Sequence, residues 1–224
     1  FVAPDSMIVT ATLGLVSLTD VRGSGQEAIK DANIALKRAK KSRRGSYVFY
    51  SLDMGVEIRE RVRLLQGLRA AVETERLFVV YQPQVHLHTG QVVGMEALLR
   101  WRREDGSFVP PDKFIPLAEA SGLIIAVGDW VLRTSCHELL RLQAMGLPEV
   151  RMSVNVSQIQ FSHPEFLNKL QSALQDSGID PQYLELEITE SVAMEDPDFM
   201  LETMARIKAM GISIAIDDFG TGYS

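Results

Sequence analysis

The sequence predicts an α/β fold, on three observations. From residue 77 onward, short apolar runs of strand composition alternate with longer stretches of helical period. The helical stretches stop at turn formers, with Gly146, Gly178 and Gly211 each just past an amphipathic run. The strand-like runs also carry oxygen-bearing side chains: Glu96 in residues 95–101, Asn155 in 152–156, Glu187 in 184–190, and Asp217 with Asp218 at the end of 212–218. Alternating units with polar groups at the strand ends imply a TIM-like (β/α) barrel whose site lies on that face. Five strands are expected, and a full barrel takes about 250 residues. The chain is therefore expected to stop mid-barrel and to be truncated at both ends.

Side chains alternate across a strand with period 2, so parity assigns each oxygen a face. Leu184, Leu186 and Ile188 share one face and leave Glu187 on the other. Ile212, Ile214 and Ile216 oppose Asp217, which shares parity with the small Ser213 and Ala215. Asn155 likewise falls with Ser153, and Glu96 with Gly94. Each oxygen is thus expected on the face that carries small residues, as where strands curl round a crowded centre. One converging site follows. Burying the Glu96 carboxylate without a partner would cost on the order of several kcal/mol, so a cation is expected to meet it.

Taken in order, residues 7–18 read as a strand, 20–25 as a turn, and 26–41 as a helix with Ala28, Ile29, Ala32, Ala35, Leu36 and Ala39 at helical spacing. A short strand at 46–50 follows. Residues 54–76 form a long helix with Val62, Leu65, Leu68, Ala71 and Val72 on its apolar positions. It reads as a linker, which gives three parts: 1–53, 54–76 and 77–224. Beyond it come strands at 78–85 and 91–99 around a turn at His88, Thr89 and Gly90, then helices at 112–120 and 127–145. The remaining elements are strands at 151–156, 184–189 and 212–218 and helices at 164–177 and 197–210.

Composition narrows the function classes. With 46% hydrophobic and 23% charged residues the usage is that of a globular domain. No apolar stretch reaches the roughly 18 residues of a membrane span, and residues 1–5 are not a secretory signal. The single cysteine, Cys136, lies in a helical run and reads as a small core residue, in keeping with a reducing compartment. Residues 1–75 carry 12 basic against 9 acidic side chains, and residues 76–224 carry 11 against 20. The acidic part is a poor nucleic-acid surface and a better place for cations. The basic cluster Lys37, Arg38, Lys40, Lys41, Arg43 and Arg44 ends a helix, where cations complement the dipole, and reads as a solvated face. His86, His88, His137 and His163 show no metal-ligand spacing.

The order strand, turn, helix 32–40 and strand 44–49 (Arg-Gly-Ser-Tyr-Val-Phe) resembles the C-terminal part of a GGDEF, or diguanylate cyclase, domain. Asn33 and Lys37 stand where that family usually has Asp and Tyr. Its signature loop would precede Phe1, so the resemblance implies no cyclase activity.

Six motifs from residue 77 onward carry a second resemblance. Tyr81-Gln82-Pro83, Glu96-Ala97-Leu98-Leu99-Arg100-Trp101, Phe114 to Glu119, Val154-Asn155-Val156-Ser157, Glu187-Ile188-Thr189-Glu190-Ser191, and Asp217-Asp218-Phe219-Gly220-Thr221-Gly222-Tyr223-Ser224 resemble an EAL domain in order and spacing. The resemblance implies a metal-dependent phosphodiesterase that opens cyclic di-GMP to linear pGpG in bacterial second-messenger signalling. Such hydrolysis needs a hydroxide at neutral pH and neutralised phosphoryl oxygens, which a pair of hard divalent cations supplies. Oxygen donors select Mg²⁺ or Mn²⁺.

By the same resemblance Glu96, Asn155, Glu187 and Asp217 are metal ligands, and Asp218 helps hold the second ion. Glu96, Asp217, Asp218 and Glu190 form the catalytic set, with Glu190 orienting the loop after Asp218, which Gly220 and Gly222 bend. Gln82 and Arg100 bind substrate, the guanidinium suiting a phosphate. The family's later strands supply a lysine, an acid and a glutamine that this chain does not contain, so the 224 residues alone are expected to be inactive. A binding-only sensor of cyclic di-GMP and a scaffold or dimerisation module are the alternatives. A homodimer, a cytoplasmic location and any membrane tether lying outside this sequence complete the expectation.

Overall fold

The computed structural model describes residues 9–17, 24–147, 150–189 and 197–217. The chain divides into two compact units, Phe1–Leu64 and Leu65–Ser224.

In the first unit, β1 (Leu13–Leu15) and β2 (Tyr47–Phe49) pair in parallel, Leu13 opposite Tyr47 and Leu15 opposite Phe49, with α1 (Gly25–Ser42) as the crossover. Ser24 and Glu27 form a reciprocal capping box at the start of α1, the Ser24 N–H donating to Glu27 Oε2 at 2.9 Å. The helix buries Ala28, Ala35 and Ala39 and carries Lys40 and Lys41 in its last turn. Its small inner face lets β1 come close: a Cβ on Gly14 would overlap the Ala32 carbonyl oxygen and the Leu36 nitrogen. Arg38 pairs with Glu57 at 2.9 Å. Both side chains are more than half exposed, so the pair adds little. The strand expected over 7–18 is three residues long among those described.

Helix α2 (Leu52–Glu73) starts two residues earlier than expected and contains the boundary between the units. In the second unit it buries Leu68 and Ala71. Gly67 lies over the Trp101 indole, where a Cβ would stand 3.1 Å from the ring. The helix ends before residue 76 because Glu75 turns left-handed, at φ 54°, and the Arg76 N–H returns to the Ala71 carbonyl at 3.2 Å.

One mixed sheet organises this unit. It comprises β3 (Leu77–Val85), β4 (Val92–Arg102), β5 (Phe108–Val109), β6 (Arg151–Asn155), β7 (Leu184–Thr189) and β8 (Ser213–Asp217), in the order β3-β4-β6-β7-β8 with β5 on β4. The parallel run β4-β6-β7-β8 follows the expected αβ alternation. β3 and β4 are antiparallel, because only six residues join them and a parallel pair needs a crossover of a dozen or more. The described strands form an open sheet and not a closed barrel. The two-residue β5, paired through Trp101 and Val109, is too short to leave a period in the sequence.

The helices are α3 (Pro111–Ser121), α4 (Ile124–Ala144), α5 (Gln158–Phe161), α6 (Phe166–Ser177) and α7 (Pro197–Ala209). The apolar parity of the strands is buried through Met95, Ala97, Trp101, Met152, Val154, Leu184, Leu186 and Ile188. Each of the larger side chains contributes about 1.5–3 kcal/mol by leaving water. Trp101 meets Phe114 of α3 edge-on at 5.7 Å. Arg133 of α4 reaches Asp176 and Ser172 of α6, the latter at 3.2 Å, and so ties these two helices together. Gly178 caps α6 in the left-handed conformation expected of it. No single helix among the described residues is long and apolar enough to cross a membrane.

Two outcomes follow from this packing. Gly14→Ala should destabilise the first unit by about 1–3 kcal/mol, read from its urea unfolding curve, since backbone and not a side chain must give way. Cys136 is fully buried, and burial pushes its thiol up to about 11, against smaller downward pulls from Ser177 and Arg133. Thiolate is thus scarce near neutrality. Alkylation by iodoacetamide at pH 8 should be negligible in the native protein and rapid in urea.

Candidate active site

Strand register brings the predicted oxygens to one face of the sheet. Gln82 lies opposite Glu96, Glu96 opposite Ser153, Ser153 opposite Glu185, and Glu185 opposite Ser213, which makes one lateral row. The next row is Asn155, Glu187 and Ala215, and the next Thr189 and Asp217. The candidates therefore climb by one row, roughly 6–7 Å of strand, from Glu96 to Asn155 and Glu187, and by another to Asp217. Glu96 is a mid-strand residue of β4, whereas Asn155 and Asp217 end their strands. Small side chains at Gly94, Ser153, Ser213 and Ala215 keep the same face open.

Asn155 and Glu96 touch, the amide Nδ2 donating to Glu96 Oε1 at 2.7 Å. Glu187 is more enclosed. Burial raises its carboxyl above the usual carboxylate range, a hydrogen bond from Ser153 pulls it back, and the charges of Glu96, Asp217 and Glu185 push it up again. In the row of Glu96, Ser153, fully buried, donates to Glu185 Oε1 at 3.0 Å, and Arg151 pairs with Glu185 Oε2 at 3.0 Å. Glu185 and Arg151 join the face without having been expected there, and Ser153, expected only as a small residue, takes a polar role. Parity alone puts Glu185 on the face of Glu187, and that signal was there to be used.

The other predicted residues fall as follows. Gln82 is exposed on β3, directly across from Glu96. Arg100 shares the face of Glu96 but stands roughly 13 Å further along β4, half-buried, with Nη1 donating to the Leu99 carbonyl at 2.9 Å. It borders a cavity of about 250 Å³ that Leu98, Ile115, Asn155 and Gln160 also line. Glu190, Asp218, Gly220 and Gly222 lie outside the described residues.

A divalent cation suits this donor set in chemistry. The candidates are carboxylate and amide oxygens, the hard donors that Mg²⁺ and Mn²⁺ take, and the Glu187 carboxyl is raised mainly by burial, with smaller contributions from the negative charges of Glu96, Asp217 and Glu185. The side chains are brought to one face and not to one point. Among the described residues no three His, Cys, Asp or Glu side chains stand at metal-holding distance, and Asn155 turns its amide nitrogen to Glu96.

Residues 65–224, the whole second unit, match the family model of the EAL domain. The chain is 37% identical over 216 residues to the bifunctional diguanylate cyclase/cyclic di-GMP phosphodiesterase MucR of Pseudomonas aeruginosa, a match covering 96% of this chain and 32% of MucR. It is 34% identical over 219 residues to the cyclic di-GMP phosphodiesterase NbdA of the same organism, covering 98% of this chain and 28% of NbdA. The chain thus spans about a third or less of the length of these relatives. Among solved structures, the MucR phosphodiesterase in complex with c-di-GMP superposes with a TM-score of 0.70 at 41% identity, over 72% of this chain and 66% of that one. The FimX EAL domain of P. aeruginosa bound to c-di-GMP gives 0.62 at 25% identity, over 70% and 62%. With the match running through every strand and helix that positions the oxygen-lined face, this chain belongs to the EAL domain family.

Proposed function

We propose that the second unit is the strand-bearing part of a cyclic di-GMP phosphodiesterase, which hydrolyses the cyclic dinucleotide to linear pGpG. The observation that carries this reading is the placement of Glu96, Asn155, Glu187 and Asp217 on one face of four consecutive parallel-register strands. The relatives MucR and NbdA, described as cyclic di-GMP phosphodiesterases, support it. Opening the ring to a 5′-phosphate joins a water oxygen to phosphorus and breaks one P–O3′ bond, and the 3′ oxygen leaves with a proton.

Glu96, Asn155, Glu187 and Asp217, with Asp218, would hold Mg²⁺ or Mn²⁺, two ions in all. When bound, these supply a hydroxide at neutral pH and offset charge on the phosphoryl oxygens. The chain's own side chains divide the remaining work. Arg100, at the mouth of its cavity, is placed to meet a substrate phosphate with its guanidinium fork. Gln82, exposed across from Glu96, takes a polar edge of the dinucleotide. Glu190 orients the segment after Asp218. Ser153 holds Glu185 by its hydroxyl, beside Glu187 on the same face.

In this reading the open sheet is the first part of a TIM-like barrel, and the parallel β1-α1-β2 unit is the end of a GGDEF-like domain joined to it through α2. The longer protein acts as a cytoplasmic homodimer.

Hydrolysis of cyclic di-GMP, assayed with Mg²⁺ or Mn²⁺ in the longer polypeptide beside the 224-residue chain, is the test. Turnover in the former and none in the latter is expected. Glu187→Gln should lower turnover by more than about 100-fold, beyond the usual cost of losing a supporting partner. Binding of cyclic di-GMP without turnover by the folded, metal-loaded protein would move the assignment to a sensor. Independently of turnover, Mn²⁺ at about 100 times its Kd should stabilise the protein by about 2.7 kcal/mol, read as a shift in the urea midpoint. Glu96→Ala should remove that shift.

A further inference from the structure

Asn155 ends β6, and only two residues separate it from α5. On one side its backbone is fixed by the ladder to β7: Asn155 pairs with Glu187, and the next N–H, of Val156, donates to the Glu187 carbonyl at 2.8 Å. On the other side the chain turns at Ser157, and Gln160 holds that turn. The Ser157 N–H and hydroxyl donate to Gln160 Oε1 at 3.3 and 3.1 Å, and the Gln160 N–H donates back to Ser157 Oγ at 3.4 Å.

A capping box of this kind works with an exposed glutamine. Here Gln160 is buried, at 9% exposure, and its carboxamide lies against Gly128 of α4, where a Cβ would overlap it. Burying a polar amide is unfavourable, and a glycine inside a helix weakens it relative to alanine. Stabilising a four-residue helix requires neither. Together with Asn155, Gln160 lines both the cavity bordered by Arg100 and the smaller one beneath α4 and α6.

We infer that Gln160 is a positioning residue for Asn155: clamped between Ser157 and the cleft made by Gly128, it fixes where the end of β6 presents the Asn155 amide to Glu96 and Glu187. The inference deepens the phosphodiesterase reading and rests on it for the reaction, while its metal-binding arm stands without turnover. The sequence signal is Asn155-Val156-Ser157-x-x-Gln160 with a lone glycine at 128.

The test uses the longer catalytic protein with Gln160→Leu, which removes the clamp at similar volume, Gln160→Glu, which keeps the Oε1 acceptor, and Gly128→Ala, which displaces the carboxamide without altering it. Mn²⁺ binding by titration, kcat and KM for cyclic di-GMP, and Tm are measured for each. Gln160→Leu and Gly128→Ala should each weaken Mn²⁺ binding and lower kcat by about 10–100-fold, the range for lost supporting partners. KM should stay within about threefold by the same reasoning, and Gln160→Glu should recover most of the loss. Wild-type Mn²⁺ affinity in folded Gln160→Leu overturns the inference. So does a loss that tracks Tm alone across the three variants with no recovery in Gln160→Glu. A wild-type protein that binds Mn²⁺ but does not turn over would count against the phosphodiesterase reading only, and the Mn²⁺ comparison would still decide the role of Gln160.

Discussion

Parallel pairing of β4, β6, β7 and β8 in one register is the constraint from which the rest of the second unit follows. Because side chains alternate, the register that buries Met152, Leu184, Leu186 and Ile188 against helices also forces Glu96, Asn155, Glu187 and Asp217 onto the opposite face. A slip of one residue would bury the acids and expose the core. The apolar packing thus holds like charges together, and the Glu187 carboxyl, raised first by burial and further by Glu96, Asp217 and Glu185, is the visible cost.

The site face is built in layers. Arg151, Glu185 and Ser153 form a hydrogen-bonded group with one cation; Glu96 lies in the row of Ser153 and Glu185, Glu187 one row above, and neither pairs with a Lys or Arg among the described residues. Arg100 lies farther along the same face, roughly 13 Å from Glu96, with its guanidinium on the Leu99 carbonyl. Gln160 works on the backbone: it sets the turn after Asn155 from the helix layer, so the two layers of the fold meet at the one neutral member of the candidate set.

Much of this was legible in the sequence. Helix and strand limits came within about three residues for the long elements, because Gly146, Gly178 and Gly211 punctuate a clear period. Parity placed the four oxygens on one face. What the sequence hid has physical causes. β5 and α5 are too short to show a period. The end of α2 turns on a left-handed Glu75, which no composition rule favours. The antiparallel start of the sheet follows from the six-residue connection between β3 and β4, too short for a parallel crossover.

The sequence by itself determined the alternation of elements, the face each candidate oxygen occupies and the family, since these depend on local period and on motif spacing. Only the tertiary structure decided which oxygens touch, that Glu96 meets the Asn155 amide, that Ser153 supports Glu185, and that Gln160 needs the missing side chain of Gly128. Those contacts join residues 32 to 59 positions apart. They arise from strand register and helix approach, which no single stretch of chain encodes.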